Sequence, residues 1–329
     1  MSGTTLEVYP QKVTKMVSQK QLRDEINHQL IKTLKDKQII PWQQPWTDVE
    51  SIMPTNIFTK FPYKDINPIL LRIAAVKNNY TSKWWGREKQ WAILGGKILP
   101  GAQGVKVLHR DGSEVKERIV YNLDCIEGRK FDSLRVTYDV KLFADATDKN
   151  GNRKWFMDGE RGLANKEAER VIDATGSDFR EELRDGAAYY RPPLDYIVVP
   201  KMSQFYFGPG GPASFYATAF HELAHWTEIR LDWLADPLRS VKYRYALGEL
   251  RSDIASAYLC AACGVPPQTD ELNFDSRTNH CRYVKHWLTM MEEDNSVIFR
   301  IAHAASEAAD YILSLAGGYN ALYVNSRVG

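Results

Sequence analysis

His221-Glu222-Leu223-Ala224-His225 sets two imidazoles four residues apart with a carboxylate between them. On an α-helix, positions i and i+4 share one face, so both rings can reach a single ion. Glu222 then lies where it can take a proton from a water held at that ion, the arrangement of an HExxH metallopeptidase. Two histidines leave a catalytic zinc one protein ligand short. Glu249 follows 24 residues after His225 within Glu249-Leu250-Arg251-Ser252-Asp253, on a predicted helix. Such an ExxxD pair puts one carboxylate on the ion and a second a turn away. There Asp253 would accept the spare N–H of a ligating histidine and fix its orientation. The plainer reading of Glu249 and Asp253 is a solvated helix face. The implied cofactor is Zn2+, and Mn2+ or Co2+ would suit the same donors. His280 and His286 sit with Tyr283, Trp287 and Met290 on a helix, and Cys260 and Cys263 read as small buried helix residues.

A second pattern lies between residues 42 and 91. Trp42, Trp46, Phe58, Phe61, Tyr63, Tyr80, Trp84, Trp85 and Trp91 are interleaved with Lys60, Lys64, Arg72, Lys83, Arg87 and Lys89. Two readings fit. Cations can follow a nucleic-acid backbone while bases stack on exposed rings; equally, the rings can form a tryptophan-rich core beneath a solvated basic surface. Charge is segregated to match. Residues 1–130 hold 21 Lys and Arg against 13 Asp and Glu, and the remainder holds 22 against 28, within a net charge of only +2. The first half therefore suits a polyanion and the second half a different task.

The elements that must position these residues are readable in outline. Leu22, Ile26, Leu30 and Leu34 recur at helical spacing over residues 18–38. Asn67-Pro68 opens a second helix, and a third runs near residues 86–94 to Gly95-Gly96. VKVLHR, ERIVYNL and LRVTYDVKLF read as two or three strands. The polar, turn-rich stretch 145–154 reads as a domain boundary. Beyond it come a helix near 164–174, a hairpin-like stretch over 187–200, and helices near 213–230, 246–263, 277–293 and 296–315. This order indicates an α+β chain of two domains, residues 1–147 and 155–329, the second mostly helical. No apolar run reaches the ~18 residues of a membrane span. The polar N-terminus and four scattered cysteines suggest a cytoplasmic protein with no membrane partner.

Taken together, IIPWQQPWT, PTNIFTKFPYKDINPILL and WWGREKQWAILGGKILPGAQGVKV, followed by AAYYRPPLDYIVVP, FYATAFHELAHWTE and YALGELRSDIASAYLC, resemble the antirestriction protein ArdC family of conjugative plasmids and phages. FHELAHWT is the most specific element. The resemblance implies an N-terminal domain that binds single-stranded DNA and a C-terminal zincin-like, gluzincin-type metallopeptidase domain. It turns Trp42, Trp46, Lys60, Tyr63, Lys64, Arg72, Lys83, Trp84, Trp85, Arg87 and Lys89 into candidate DNA contacts. Metal ligands would be His221, His225 and Glu249, with Glu222 as catalytic base and Asp253 behind the ligands. The peptide target would be a host restriction or defence protein. The family usually has two glutamates where this chain has Gly248-Glu249, and a glutamate at the position of Asp253, which leaves Glu249 as the third ligand. The rival expectations are a non-enzymatic protein that coats single-stranded DNA or blocks an endonuclease around a structural metal, and a free-standing peptidase whose basic domain binds an acidic protein.

Overall fold

The structure is a computed structural model that describes residues 19–37, 53–111, 114–134, 165–184, 186–205, 212–233, 239–265 and 279–318. Trp42, Trp46, the predicted strand LRVTYDVKLF beyond Leu134 and the boundary stretch 145–154 lie outside these residues. The chain has two domains of mixed helix and strand, the second mainly helical.

Helix α1 (Gln19–Lys37) precedes the first domain's sheet, whose strand order is β1-β2-β5-β4. β1 (Thr55–Asn56) and β2 (Trp84–Gly86) pair in parallel. β4 (Val105–Asp111) and β5 (Glu114–Asn122) form a seven-pair antiparallel ladder, from Val105 opposite Val120 to Asp111 opposite Glu114. α2 (Asn67–Asn78) starts with proline in its first turn and ends on Asn79 in the left-handed conformation, which asparagine tolerates. α3 (Glu88–Ile93) follows β2 directly. Gly86 makes that junction feasible: a Cβ there would lie 2.6 Å from Ile57 Cγ2 and 3.0 Å from Trp91 Nε1. A two-stranded sheet of β3 (Lys97–Ile98) and β6 (Ile126–Glu127) completes the domain.

The second domain begins with α4 (Lys166–Ala174), capped by the Asn165 side chain on Ala168 N–H. Its sheet has the order β7-β9-β8, where β7 (Asp178–Glu182) runs parallel to β9 (Tyr196–Pro200) and β8 (Tyr189–Arg191) is the antiparallel edge. The expected hairpin is β8–β9; β7 was not expected. After the short α5 (Met202–Phe205), α6 (Pro212–Arg230) carries the two histidines. α7 (Val241–Cys263) begins five residues before the expected start, on a Ser240 cap. α8 (Asn279–Glu293) and α9 (Val297–Leu315) close the domain. α6 packs against α7, α9 and strands β8 and β9. It is therefore buried on nearly every side, through Phe215, Phe220, Leu223 and Trp226 among others.

The main hydrophobic core spans both domains: Ile26, Leu30 and Leu34 of α1 and Ile66, Ile69 and Leu70 cluster with the helices of the second domain. Asp65, held at φ 58 just before α2, is gripped from that domain. Its N–H donates to Ser306 Oγ at 2.8 Å, its carbonyl accepts Tyr258 Oη at 2.6 Å, and its carboxylate lies 2.9 Å from His303 Nδ1. Among the described residues no helix is long and apolar enough to cross a membrane.

Candidate metal centre

α6 and α7 cross where His221, His225 and Glu249 face one another. Gly248 lies beside this crossing, where a Cβ would make ordinary van der Waals contacts, 3.8 Å from His225 Cε1 and 3.5 Å from Glu228 Oε1. Buried Arg251 ties the same crossing. It donates to Ala224 O at 2.9 Å and Thr227 Oγ1 at 2.8 Å, one residue before and two after His225.

His221 Nε2 and His225 Nε2 are 3.2 Å apart, and the Glu249 carboxylate oxygens lie 3.5 and 3.6 Å from them. Three donors on a tetrahedral ion at about 2.0–2.1 Å must be roughly 3.3 Å from one another, so this spacing suits one first-row divalent cation. Among the described residues these three form the group of His, Cys, Asp and Glu side chains that could hold a metal ion. The donor set of two imidazoles and a carboxylate leaves further coordination positions open.

Each imidazole is backed by a carboxylate. Asp253 Oδ1 lies 2.9 Å from His221 Nδ1, and Glu228 Oε1 lies 2.8 Å from His225 Nδ1. These contacts leave Nε2 of both rings for the ion. Glu228 was not among the sequence candidates, although an acid three residues after His225 on the same helix could have signalled it. Burial disfavours both imidazolium ions, but Asp253 and Glu249 outweigh it at His221, which is held well above the usual histidine range. At His225 burial is likewise outweighed by Glu228 and Glu249, giving about 9. Burial would raise the Glu249 carboxyl, yet the two histidines win and hold it far below the carboxylate range.

Glu222 is buried one residue from His221, and burial raises its carboxyl above the usual range against the pull of both histidines. The backbone of Tyr190, on edge strand β8, hydrogen-bonds to it. Beyond β8, Asp195 accepts both Arg230 guanidinium nitrogens at 3.0 and 2.7 Å and the Tyr190 hydroxyl at 2.9 Å, pinning the strand to the end of α6. Cys260 and Cys263 are buried, with their thiols pushed up by desolvation.

The DNA-contact candidates scatter. Trp84 and Trp85 alternate across β2, so Trp85, 1% exposed, packs on Leu71, Val107 and Val120 and cannot present a face to a base. Arg72, 3% exposed, is also enclosed and leaves the candidate surface. Tyr63 is half-buried; burial pushes its hydroxyl up to about 12, and that hydroxyl accepts the Asn56 amide at 3.1 Å. Lys64 pairs with Asp310. Lys60 and Lys83 lie over the Trp84 ring, 4.6 and 5.1 Å from a ring centroid, and Arg87 and Lys89 are exposed.

Residues 20–143 match the family model of the N-terminal domain of anti-restriction factor ArdC, and residues 166–305 match that of a zincin-like metallopeptidase. The crystal structure of Antirestriction ArdC protein from the R388 plasmid, Mn(II)-bound, is 28% identical and covers 90% of this chain and 98% of its own, with a TM-score of 0.66. Two Escherichia coli proteins named DNA primase TraC are 31% and 30% identical over 90% and 91% of this chain. The chain spans only 27% and 20% of their lengths. A Sinorhizobium fredii protein named y4eC is 26% identical over 83% of the chain and 84% of its own length.

Proposed function

The chain belongs to the antirestriction protein ArdC family, and from that premise we propose that it shields incoming DNA of a mobile element by two linked activities. Its first domain binds single-stranded DNA, and its second hydrolyses a peptide bond in a host restriction or defence protein. One observation carries the peptidase half: three ligand atoms converge at a tetrahedral spacing with a buried carboxylate beside them. Zinc is the ion we favour. The Mn(II) in the R388 relative supports a site open to more than one divalent ion.

His221, His225 and Glu249 would hold the cation, which supplies Lewis acidity to polarise the scissile carbonyl and acidify a water. Glu222 takes the proton from that water and passes it to the departing amine nitrogen, so one carboxylate serves as base and then acid. Its burial suits both roles, because a raised carboxyl holds the proton between the two transfers. Asp253 and Glu228 keep each ligand ring in its orientation throughout.

The test is Glu222→Gln, which removes the base and leaves the three ligands. The variant should bind Mn2+ or Zn2+ as the parent does, and its peptidase turnover should fall by roughly 10²–10⁴-fold. Protection of transferred DNA in a restricting recipient should fall with it. Undiminished protection by the metal-loaded variant would instead assign the role to DNA coating or endonuclease blocking around a structural metal.

A further inference from the structure

Residues 55–62 close into a tight loop. Asn56 N–H donates to Phe61 O at 2.9 Å, Lys60 N–H donates to Asn56 O at 2.8 Å, and Thr55 bridges Pro62. The Asn56 side-chain carbonyl accepts the N–H groups of both Phe58 and Thr59 at 3.0 Å. A loop so well bonded through its backbone needs no aromatic side chains, yet Phe58 is 48% and Phe61 57% exposed. Between them Lys60 is held at φ 65, a conformation that costs a non-glycine residue about 1 kcal/mol. The Lys60 ammonium lies over the Trp84 ring, as does that of Lys83.

We propose that this turn is the stacking platform for unpaired bases. Phe58 and Phe61 supply the π faces, while Lys60 and Lys83, held on Trp84, supply phosphate contacts. The inference rests on the reading of the first domain as a single-strand binder and names where that binding occurs. It reverses the roles suggested by the sequence, since the indole of Trp84 serves as a seat for cations and the exposed phenyl rings receive the bases. Three physical features favour this occupant. The bonded loop presents its rings already ordered, so less entropy is lost on binding. Two cations beside two apolar rings complement a chain that alternates anionic phosphate with flat bases. A duplex keeps its base faces stacked away from such rings, so the platform selects single strands.

The experiment is fluorescence anisotropy of the full chain with a labelled oligothymidine across a salt series, using Phe58→Ala/Phe61→Ala and Phe58→Leu/Phe61→Leu. Both rings are exposed, so both variants should melt with the parent. Loss of each ring should weaken binding by roughly 5- to 150-fold, the two losses compounding in the double alanine variant, and leucine, which keeps bulk without a π face, should not restore it. The slope of log K against log salt should stay unchanged in these variants and flatten by about 0.7 in Lys83→Ala. A parent that binds tightly while both phenylalanine variants bind equally well would overturn the platform alone. Leucine variants at parental affinity would replace stacking by simple apolar contact and overturn it too. A parent that binds no single strand at low salt would sink the single-strand reading itself, and the platform with it.

Discussion

A proton and a divalent cation compete for the same ring nitrogens of His221 and His225. The carboxylates around them make the competition sharp, because they stabilise the imidazolium ions beyond the penalty of burial and hold His225 at about 9. At neutral pH, loading the centre must therefore expel protons, and affinity should climb with pH through the His225 range near 9. Titration calorimetry with Mn2+ in buffers of different ionisation enthalpy should show proton release at pH 7 that diminishes as the pH rises past 9. In Glu228→Gln, His225 loses its charged brace, and affinity should drop by roughly 10–100-fold. That comparison belongs above pH 9, where weaker proton competition in the variant no longer offsets the loss. Unchanged affinity there would make Glu228 a bystander. At this scale the sequence was legible wherever spacing along one helix fixes proximity, as with His221, Glu222 and His225. Glu249 and Asp253 needed a second helix to be placed, and the structure puts both at the centre.

At the scale of elements, α6 and α7 are surrounded on most faces, so their apolar residues show little one-sided periodicity, and α6 was found through its motif. β7 carries Asp178-Phe179-Arg180-Glu181-Glu182 and reads as a polar loop until it pairs in parallel with β9. β1 is two residues long and exists because Trp84 and Trp85 lie beside it, nearly thirty residues along the chain. Such strands are defined by their partners, which no local window contains. The α6–α7 crossing is set by Arg251, a guanidinium enclosed between two helices, where desolvation lowers it to about 10. Arg251→Ala should remove two buried hydrogen bonds and leave a cavity, lowering stability by about 2–4 kcal/mol in urea melts. It should also weaken metal binding, because the span between Glu249 and His225 is no longer fixed. Loss of stability with intact metal affinity would confine Arg251 to a packing role.

At the scale of the molecule, the family boundaries and the core boundaries do not coincide. α1 belongs to the stretch matching the ArdC N-terminal domain, yet its apolar stripe lies in the core of the second domain, and Asn27 donates to Met291 O at 2.7 Å. The stripe of Ile26, Leu30 and Leu34 was plain in the sequence; which groove receives it was not, because periodicity reports a buried face without naming its partner. Leu30 is fully enclosed, so Leu30→Ala should cost about 2–5 kcal/mol. The loss should appear in one coincident thermal transition, seen equally by probes in both domains. A variant that melts its first domain alone would mean the shared core is energetically slight.

The shared core also bears on how such genes can be inherited. The TraC relatives carry this stretch as a quarter or a fifth of a longer chain, and the match runs through both domains together. A recombination joint falling between residues 143 and 166 would give the α1 of one parent to the groove of another, and the hybrid would begin life with a mismatched seam. Joints that fall outside both domains carry the seam intact. Lineages descended from joints of the second kind should therefore outnumber those of the first, and the pair should be inherited as a single block.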